Sequence, residues 1–482
     1  MDLPGLYEWN FKLMSNIKTP EKKSLDLNDV EFNRRYHEAR PLRPIPPGRD
    51  NYAEQWRSSR EFLFGMWIDI DAEIEPSDFT RKFDDMYWQA DENIMPVVDL
   101  FERAGGHVIR PMFEKALTQG IDAVPDAPAE LVEFFEYLTK KPTWFDQDSA
   151  ERGRILLTTS TLSAVRASLG WGLYETAMTS DISSTTGATG RFQTQGVKRY
   201  IETLRMFAMA IKPDVFDTTS EEFQTMVRVR LMHALASRGL RKAWGEEYYL
   251  KNGEPIAATA LLGFGNGPLL MRLVDHRFGR PLSKNDMNDL AMYSSWFGHV
   301  IGAPERLRSK DGIELVKSLN YVFARGGDPS GWREDFLKTI RQPFDAIFAT
   351  YLPKLPESVR GIMTTLGCKT VSAIFIAPLV PVFGIDPVHK FVEGVDEFSL
   401  PYRFQGALFK GGARVNARMA AMRDRIPGIG ALRRRIHRNG PPGIDLVLNW
   451  MSNFARYYQG IVLAYTHHDN STAGRGFGSP RT

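Results

Sequence analysis

The sequence predicts an all-α fold. Apolar residues recur at spacings of three and four through long stretches between about residues 51 and 330, the signature of amphipathic helices. Those stretches open on hydroxyl residues or proline and close on glycine or proline, as helices do. Alternating apolar and polar strand patterns are nearly absent.

Residues 1–50 end in ARPLRPIPPGRD. So many prolines remove backbone donors and stiffen the chain, so this segment is predicted as an extended arm. SDFTRKFDDMYWQADENIMPVVDLFERAGG is predicted to run as a helix to its Gly-Gly stop, and APAELVEFFEYLTKK to stop at Pro142. LLTTSTLSAVRASLGWGLYETAMTS contains β-branched residues, but its length and small side chains fit a buried helix better. QGVKRYIETLRMFAMAIKP ends at Pro213. Thr218 and Thr219 then stand three residues ahead of Glu221 and Glu222, the capping-box spacing that opens the next helix. PLSKNDMNDLAMYSSWFGHVIG starts at Ser283 and stops at Gly302.

Beyond residue 330 come another helical stretch, the apolar run VSAIFIAPLVPVFGI at 371–385, an arginine-rich section, and a last amphipathic helix, DLVLNWMSNFARYYQGIVLAY, before a loose tail. The organisation expected is an arm over 1–50, a main helical domain over 51–330, and a helical extension over 331–482. No internal repeat is apparent, which argues against a solenoid.

Composition bounds the function. A chain of 482 residues, 43% apolar and 12% aromatic, is globular. Its 61 basic and 58 acidic residues leave a net charge of +3, no signature of a nucleic-acid binder. Cys368 is the single cysteine, which excludes an internal disulfide and a multi-thiolate zinc site and fits a reducing compartment. The N-terminus does not read as a signal peptide. The 371–385 run holds two prolines and is shorter than the roughly 20 residues of a spanning helix. The expectation is a soluble, cytoplasmic protein, with peripheral membrane contact through 371–385 and the basic 423–438 segment left open.

The chemistry concentrates on two helices joined by a short connection, which should lie side by side. On the first, Arg199, Glu202, Thr203 and Met206 share a face. On the second, within MVRVRLMHALASRGL, the residues Met226, Val229, His233, Ala236 and Leu240 form an apolar stripe with an imidazole at its centre. Each has a plain reading: the first as a solvated ladder of Lys198, Glu202 and Arg205, the second as a core histidine. Against that stands a donor inventory with no HExxH or paired-histidine cluster, which is poor for zinc but sufficient for haem b, whose iron needs one protein ligand. Small residues at Ala234 and Ala236 leave room for a flat ring, and Arg199, Arg228 and Arg230 are candidates to pair with its propionates.

VRVRLMHALASRG, preceded by KRYIETLRMFAMA, resembles the core of the latex clearing protein (rubber oxygenase) and MpaB oxygenase superfamily. KKPTWFDQDSAERGR and GRPLSKNDMNDLAMYSSWFGHVIGAPERL resemble the family's segments before and after it. The likeness covers roughly residues 90–310. It implies a globin-like helical core holding haem b, with His233 as the axial iron ligand, Arg230 and Met226 lining the cofactor, and Arg199 contacting a propionate or a catalytic carboxylate. It implies dioxygen and a small hydrophobic, unsaturated substrate as reactants, with Glu202, Arg199 and Thr203 as catalytic residues. In the rubber-cleaving branch a lysine stands where this chain has Glu202. The upstream region TSDISSTTGATGRF also lacks the glutamate of that branch, leaving Glu202 or Asp181 for acid–base work. A haem protein without turnover, a sensor or carrier, is the alternative.

GFGNG at 263–267 is predicted to be a turn between helices, since no strand precedes it. His299 is expected to be structural, and His467 and His468 to lie in the tail. The arginines at 423, 425, 433, 434, 435 and 438 are expected to form a solvated loop, with anionic lipid as the second reading and nucleic acid ranked last, because no aromatic residues are interleaved.

Overall fold

The computed structural model describes residues 42–439 apart from 51, 189–190, 266 and 327–330, with Asn453 alone beyond them. Among these residues every regular element is helical. Most of the arm, the last predicted helix and the tail histidines lie outside the described residues, as do the side chains of the GFGNG segment. The described end of the arm makes one tight turn over Pro47–Arg49 and is pinned. Trp88 donates its indole N–H to the Pro44 carbonyl at 2.6 Å, and Arg49 donates to the Asn252 carbonyl at 2.6 Å.

Two helices form the spine beside the site. Lys284–Ile301 opens on a capping box in which the Ser283 hydroxyl accepts from the Asp286 N–H and the Asp286 carboxylate accepts from the Ser283 N–H. It ends at Gly302, whose φ of +103° is left-handed. This helix lies along Gln147–Thr158. At their closest approach a Cβ on Gly153 would sit 2.2 Å from the Asp289 carbonyl oxygen, so only glycine permits the contact. Arg152 grips the Asp289 carboxylate at 2.9 and 2.8 Å beside it. Two segments far apart in sequence, around residues 150 and 290, thus form one packed pair.

Three predicted helices differ from the observed ones, each where tertiary contacts outweigh local preference. The stretch from 78 to 104 breaks into Asp78–Met86 and Met95–Ala104. Between them the backbone bonds elsewhere: the Tyr87 carbonyl accepts from Glu254 N–H at 2.9 Å and the Gln89 carbonyl from Ala258 N–H at 2.7 Å. The stretch around 160 breaks into Gln147–Thr158 and Leu162–Met178, because Thr161 turns to cap the second helix while its hydroxyl and N–H both donate to Asp275. In the third case Ser220, not Thr218 or Thr219, caps Glu221–Asn252, its hydroxyl accepting from Phe223 N–H at 3.0 Å. Asp217 accepts from both the N–H and the hydroxyl of Thr219, which commits that residue to the preceding turn.

The apolar 371–385 run is not an isolated short segment. It continues Glu357–Val371 through one wide and one tight turn to Phe383, giving a helical rod over Glu357–Phe383 of 27 residues, long and apolar enough to cross a membrane by length and composition. The rod packs on the protein. A Cβ on Gly170 would lie 1.9 Å from the Phe375 carbonyl oxygen, and the Phe383 ring stacks at 4.8 Å on Trp171 and sits 4.1 Å from Tyr174. Trp56, from the start of the chain, joins the same cluster.

Candidate functional site

The helix Arg191–Ala210 and the helix Glu221–Asn252 pack side by side, as their short connection requires. Arg333–Tyr351 lies against the outer side of the first. The histidine helix is straight through His233 and bends only at Gly245, whose φ of +74° is open to glycine alone.

His233 is half-buried in the middle of this packing, with Ala234 buried next to it. Burial, and then the positive charge of Arg199, lower its pKa to about 4. The ring is therefore neutral at pH 7, the form in which imidazole ligates a metal. Arg199 stands on the neighbouring helix of the pair. Arg199 Nη1 donates to Glu202 Oε2 at 3.2 Å, and Glu202 is buried. Thr203, half-buried, follows on the same face, one turn from Arg199. Arg205 instead reaches Glu221 of the next helix at 2.9 Å, and the side chains of Lys198 and Asp181 lie outside the described residues.

The other two arginines expected near a cofactor are engaged elsewhere. Arg228 pairs with Glu114 at 2.9 Å. Arg230 is fully buried and grips Asp91 with both arms, Nη2 to Oδ1 at 2.8 Å and Nε to Oδ2 at 2.5 Å, while Nη1 donates to the His299 carbonyl at 3.0 Å. Burial opposes its charge, but Asp91 and the neighbouring Tyr137 outweigh that and hold it ionised. Arg230 thus ties the histidine helix to the end of the Lys284–Ile301 helix. Its fork has no arm left for a propionate. Met226 is completely buried in the hydrophobic core on the histidine face.

No signal in the sequence pointed to Asp91, which sits in a break between helices, or to its pairing with Arg230. Gly302 belongs to the same knot: a Cβ there would meet Asp91 Oδ2 at 2.0 Å. His299 is buried, as expected for a structural residue. Its ring lies tilted against Tyr137 at 4.8 Å and edge-on to Trp144, and burial, then Arg230, lower its pKa to about 4. Its Nε2 makes no hydrogen bond and borders a small cleft with Trp144, Ser295 and Arg308, of a size for about one water.

Among the described residues no group of three or more His, Cys, Asp or Glu side chains could hold a metal ion directly. One neutral imidazole beside small residues, with a guanidinium on the neighbouring helix, fits a haem, not a protein-held zinc or non-haem iron. Among the described residues the protein is thus all-helical, with His233 on one helix of the pair and Arg199 and Glu202 on the other. The chain belongs to the family of the ER-bound oxygenase mpaB/B' and rubber oxygenase, whose catalytic-domain model matches residues 159–404. That span contains Arg199, Glu202, Thr203 and His233, and it runs past residue 330 into the region expected from composition to be an extension. A solved structure of latex clearing protein in its closed state is similar at 14% identity, covering 73% of this chain and 90% of that one, with a TM-score of 0.48. No curated protein matches the chain.

Proposed function

We propose that this oxygenase-family protein binds haem b through His233 and oxidatively cleaves a carbon–carbon double bond in a hydrophobic, isoprenoid or lipid-like substrate. One alkene and one dioxygen would give two carbonyl groups, a balance that calls for no external reductant. The carrying observation is a neutral His233 whose helix packs against the helix that bears the Arg199–Glu202 pair. Bound at His233, the haem would supply the place where dioxygen is held and activated.

The protein's own residues have separate tasks in this reading. His233 holds the iron and, being neutral, needs to lose no proton before doing so. Glu202 presents a carboxylate on the facing helix, a proton acceptor or hydrogen-bond partner for a reacting group. Arg199 orients that carboxylate through the 3.2 Å contact and keeps a positive charge beside it. Thr203, on the same face, offers a hydroxyl. A carboxylate at 202 cannot ligate as a neutral amine would, so closure by a distal lysine, implied for the rubber-cleaving branch, is not part of the proposal. Buried apolar residues on the two helices, such as Met206 and Met226, exclude water and suit an apolar substrate.

The test is a haemochrome assay and absorption spectrum of the purified protein beside His233→Ala, with dioxygen uptake measured in the presence of unsaturated isoprenoids. One haem per chain, lost in the variant, and sustained uptake with an alkene support the proposal. Colourless protein after expression with added haem overturns the cofactor assignment. Reversible gas binding without turnover would leave a haem carrier or sensor.

A further inference from the structure

The helix Tyr402–Arg425 is apolar on two opposite sides. One side is core: Tyr402, Gly406, Phe409, Ala413, Ala417 and Ala420 are buried, and Gly406 is packed so closely on Val380 that a Cβ there would clash at 2.5 Å. The other side carries Phe404, Leu408, Val415, Met419, Met422 and Ile426, each 49–62% exposed. Their spacings of 4, 7, 4, 3 and 4 place them within about 60° of arc on a helix of 3.6 residues per turn. Gly411 and Gly412 fill the gap in the stripe, and nothing lies within 4 Å of where their Cβ atoms would be. A chain reversal at Gly428 leads to Ile429–Ile436, where Leu432 and Ile436 are again more than half exposed.

Exposed apolar side chains in such a line, rather than scattered singly, mark a contact surface. Charge says which contact. Arg403, Lys410, Arg414, Arg418 and Arg425 recur at spacings of 7, 4, 4 and 7, which sets them in a row along one flank of the stripe. Arg434 and Arg435 extend the basic surface onto the next helix, and both are exposed. The acid in this segment, Asp424, is taken up by Arg280 at 2.7 Å and Arg433 at 3.1 Å. A narrow apolar ridge bordered by arginines and lacking free carboxylates fits an interface of acyl chains topped by anionic headgroups. A second copy of this face would bring its arginines against those of the first.

We infer that the face formed by residues 404–436 docks the protein onto the surface of an anionic phospholipid bilayer, with the stripe entering the acyl boundary and the arginine row meeting the headgroups. The helices lie in the plane of the membrane and do not cross it. This places the contact on the Tyr402–Arg425 helix and its successor. The 371–385 run, by contrast, turns Ile376, Leu379, Val382 and Phe383 inward.

The test is cosedimentation of the full chain with vesicles of phosphatidylcholine alone and of equimolar phosphatidylcholine and phosphatidylserine. Two variants accompany it, Leu408→Glu with Met419→Glu, and Arg414→Glu with Arg418→Glu. All four positions are exposed, and unchanged circular dichroism and melting confirm the fold of each variant. The wild type is expected to bind the anionic vesicles and to release as salt is raised. Reversing the two arginines should weaken that binding by at least about thirtyfold, from roughly 1 kcal/mol for each basic residue lost. The glutamates in the stripe should abolish it. Failure of the wild type to bind, or variants that bind as the wild type does, overturns the inference. So does a stable dimer in sedimentation velocity that Leu408→Glu with Met419→Glu dissociates, since the stripe would then face a second copy. Binding that appears only after removal of residues 440–482 overturns it as well, because the chain's own C-terminus would be the occupant.

Discussion

Replacing Arg230 by Met separates a structural role from a cofactor role. The substitution keeps the length of the side chain and removes the guanidinium, leaving the Asp91 carboxylate, only 5% exposed, without its counter-charge. Breaking a buried ion pair from one side costs about 3 to 5 kcal/mol, and the His299 carbonyl loses a donor worth about 1 kcal/mol more. That sum of about 4 to 6 kcal/mol is a large part of the 5 to 15 kcal/mol that holds a typical domain folded. Asp91→Asn should cost a similar amount, because it strands the guanidinium instead. Arg230→Met combined with Asp91→Leu should recover most of the loss, since an apolar pair of similar volume replaces two desolvated charges. Urea unfolding of the haem-free protein, followed by far-UV circular dichroism, measures all three. If Arg230→Met unfolds at the wild-type midpoint and only haem content falls, the assignment of Arg230 to the fold is wrong and it serves the cofactor after all.

Glu202→Gln should lower the rate of dioxygen uptake about a hundredfold or more if the carboxylate moves a proton. Melting and haem content should change little; the opposite pattern would make the Arg199 pair purely structural. Gly302→Ala should destabilise by more than about 1 kcal/mol in thermal unfolding, because φ is +103° and its Cβ would strike Asp91; wild-type melting would contradict the packing described. Three buried groups set opposing pH slopes. His299, at about 4 against 6.5, makes stability rise with pH between those values, because the unfolded chain takes up a proton that the fold refuses. Glu254, raised by burial to about 7 from 4.5, makes stability fall as pH rises through that window, because the fold keeps a proton that the unfolded chain has released. His233, also at about 4 against 6.5 in the haem-free protein, adds a second rising slope, so Glu254 offsets about one of the two between pH 4.5 and 6.5. Glu254→Gln should therefore steepen the rise by roughly 1.4 kcal/mol per pH unit in denaturation midpoints of the haem-free protein across that range, and an unchanged slope in the variant would refute it.

Local chemistry determined much of this protein. Periodicity and caps marked the helices, because amphipathic spacing and terminal hydrogen bonds are written within a few residues: Ser283 and Gly302 bound one helix as read. The side-by-side packing of the helices that carry Arg199 and His233 was also legible, since a short connection leaves two helices little choice but to pack. Other features depended on partners distant in the chain. Breaks after Met86 and Thr158 exist because Glu254, Ala258 and Asp275 offer hydrogen bonds that outweigh one or two turns of helix. Arg230 reads in sequence like any arginine beside a candidate ligand; whether it meets a propionate or Asp91, 139 residues away, is decided by the whole packing. The exposed stripe on Tyr402–Arg425 has the same origin. A helix apolar on two sides looks buried in sequence, and only the tertiary arrangement decides which of the two faces the core takes and which it leaves to the surroundings.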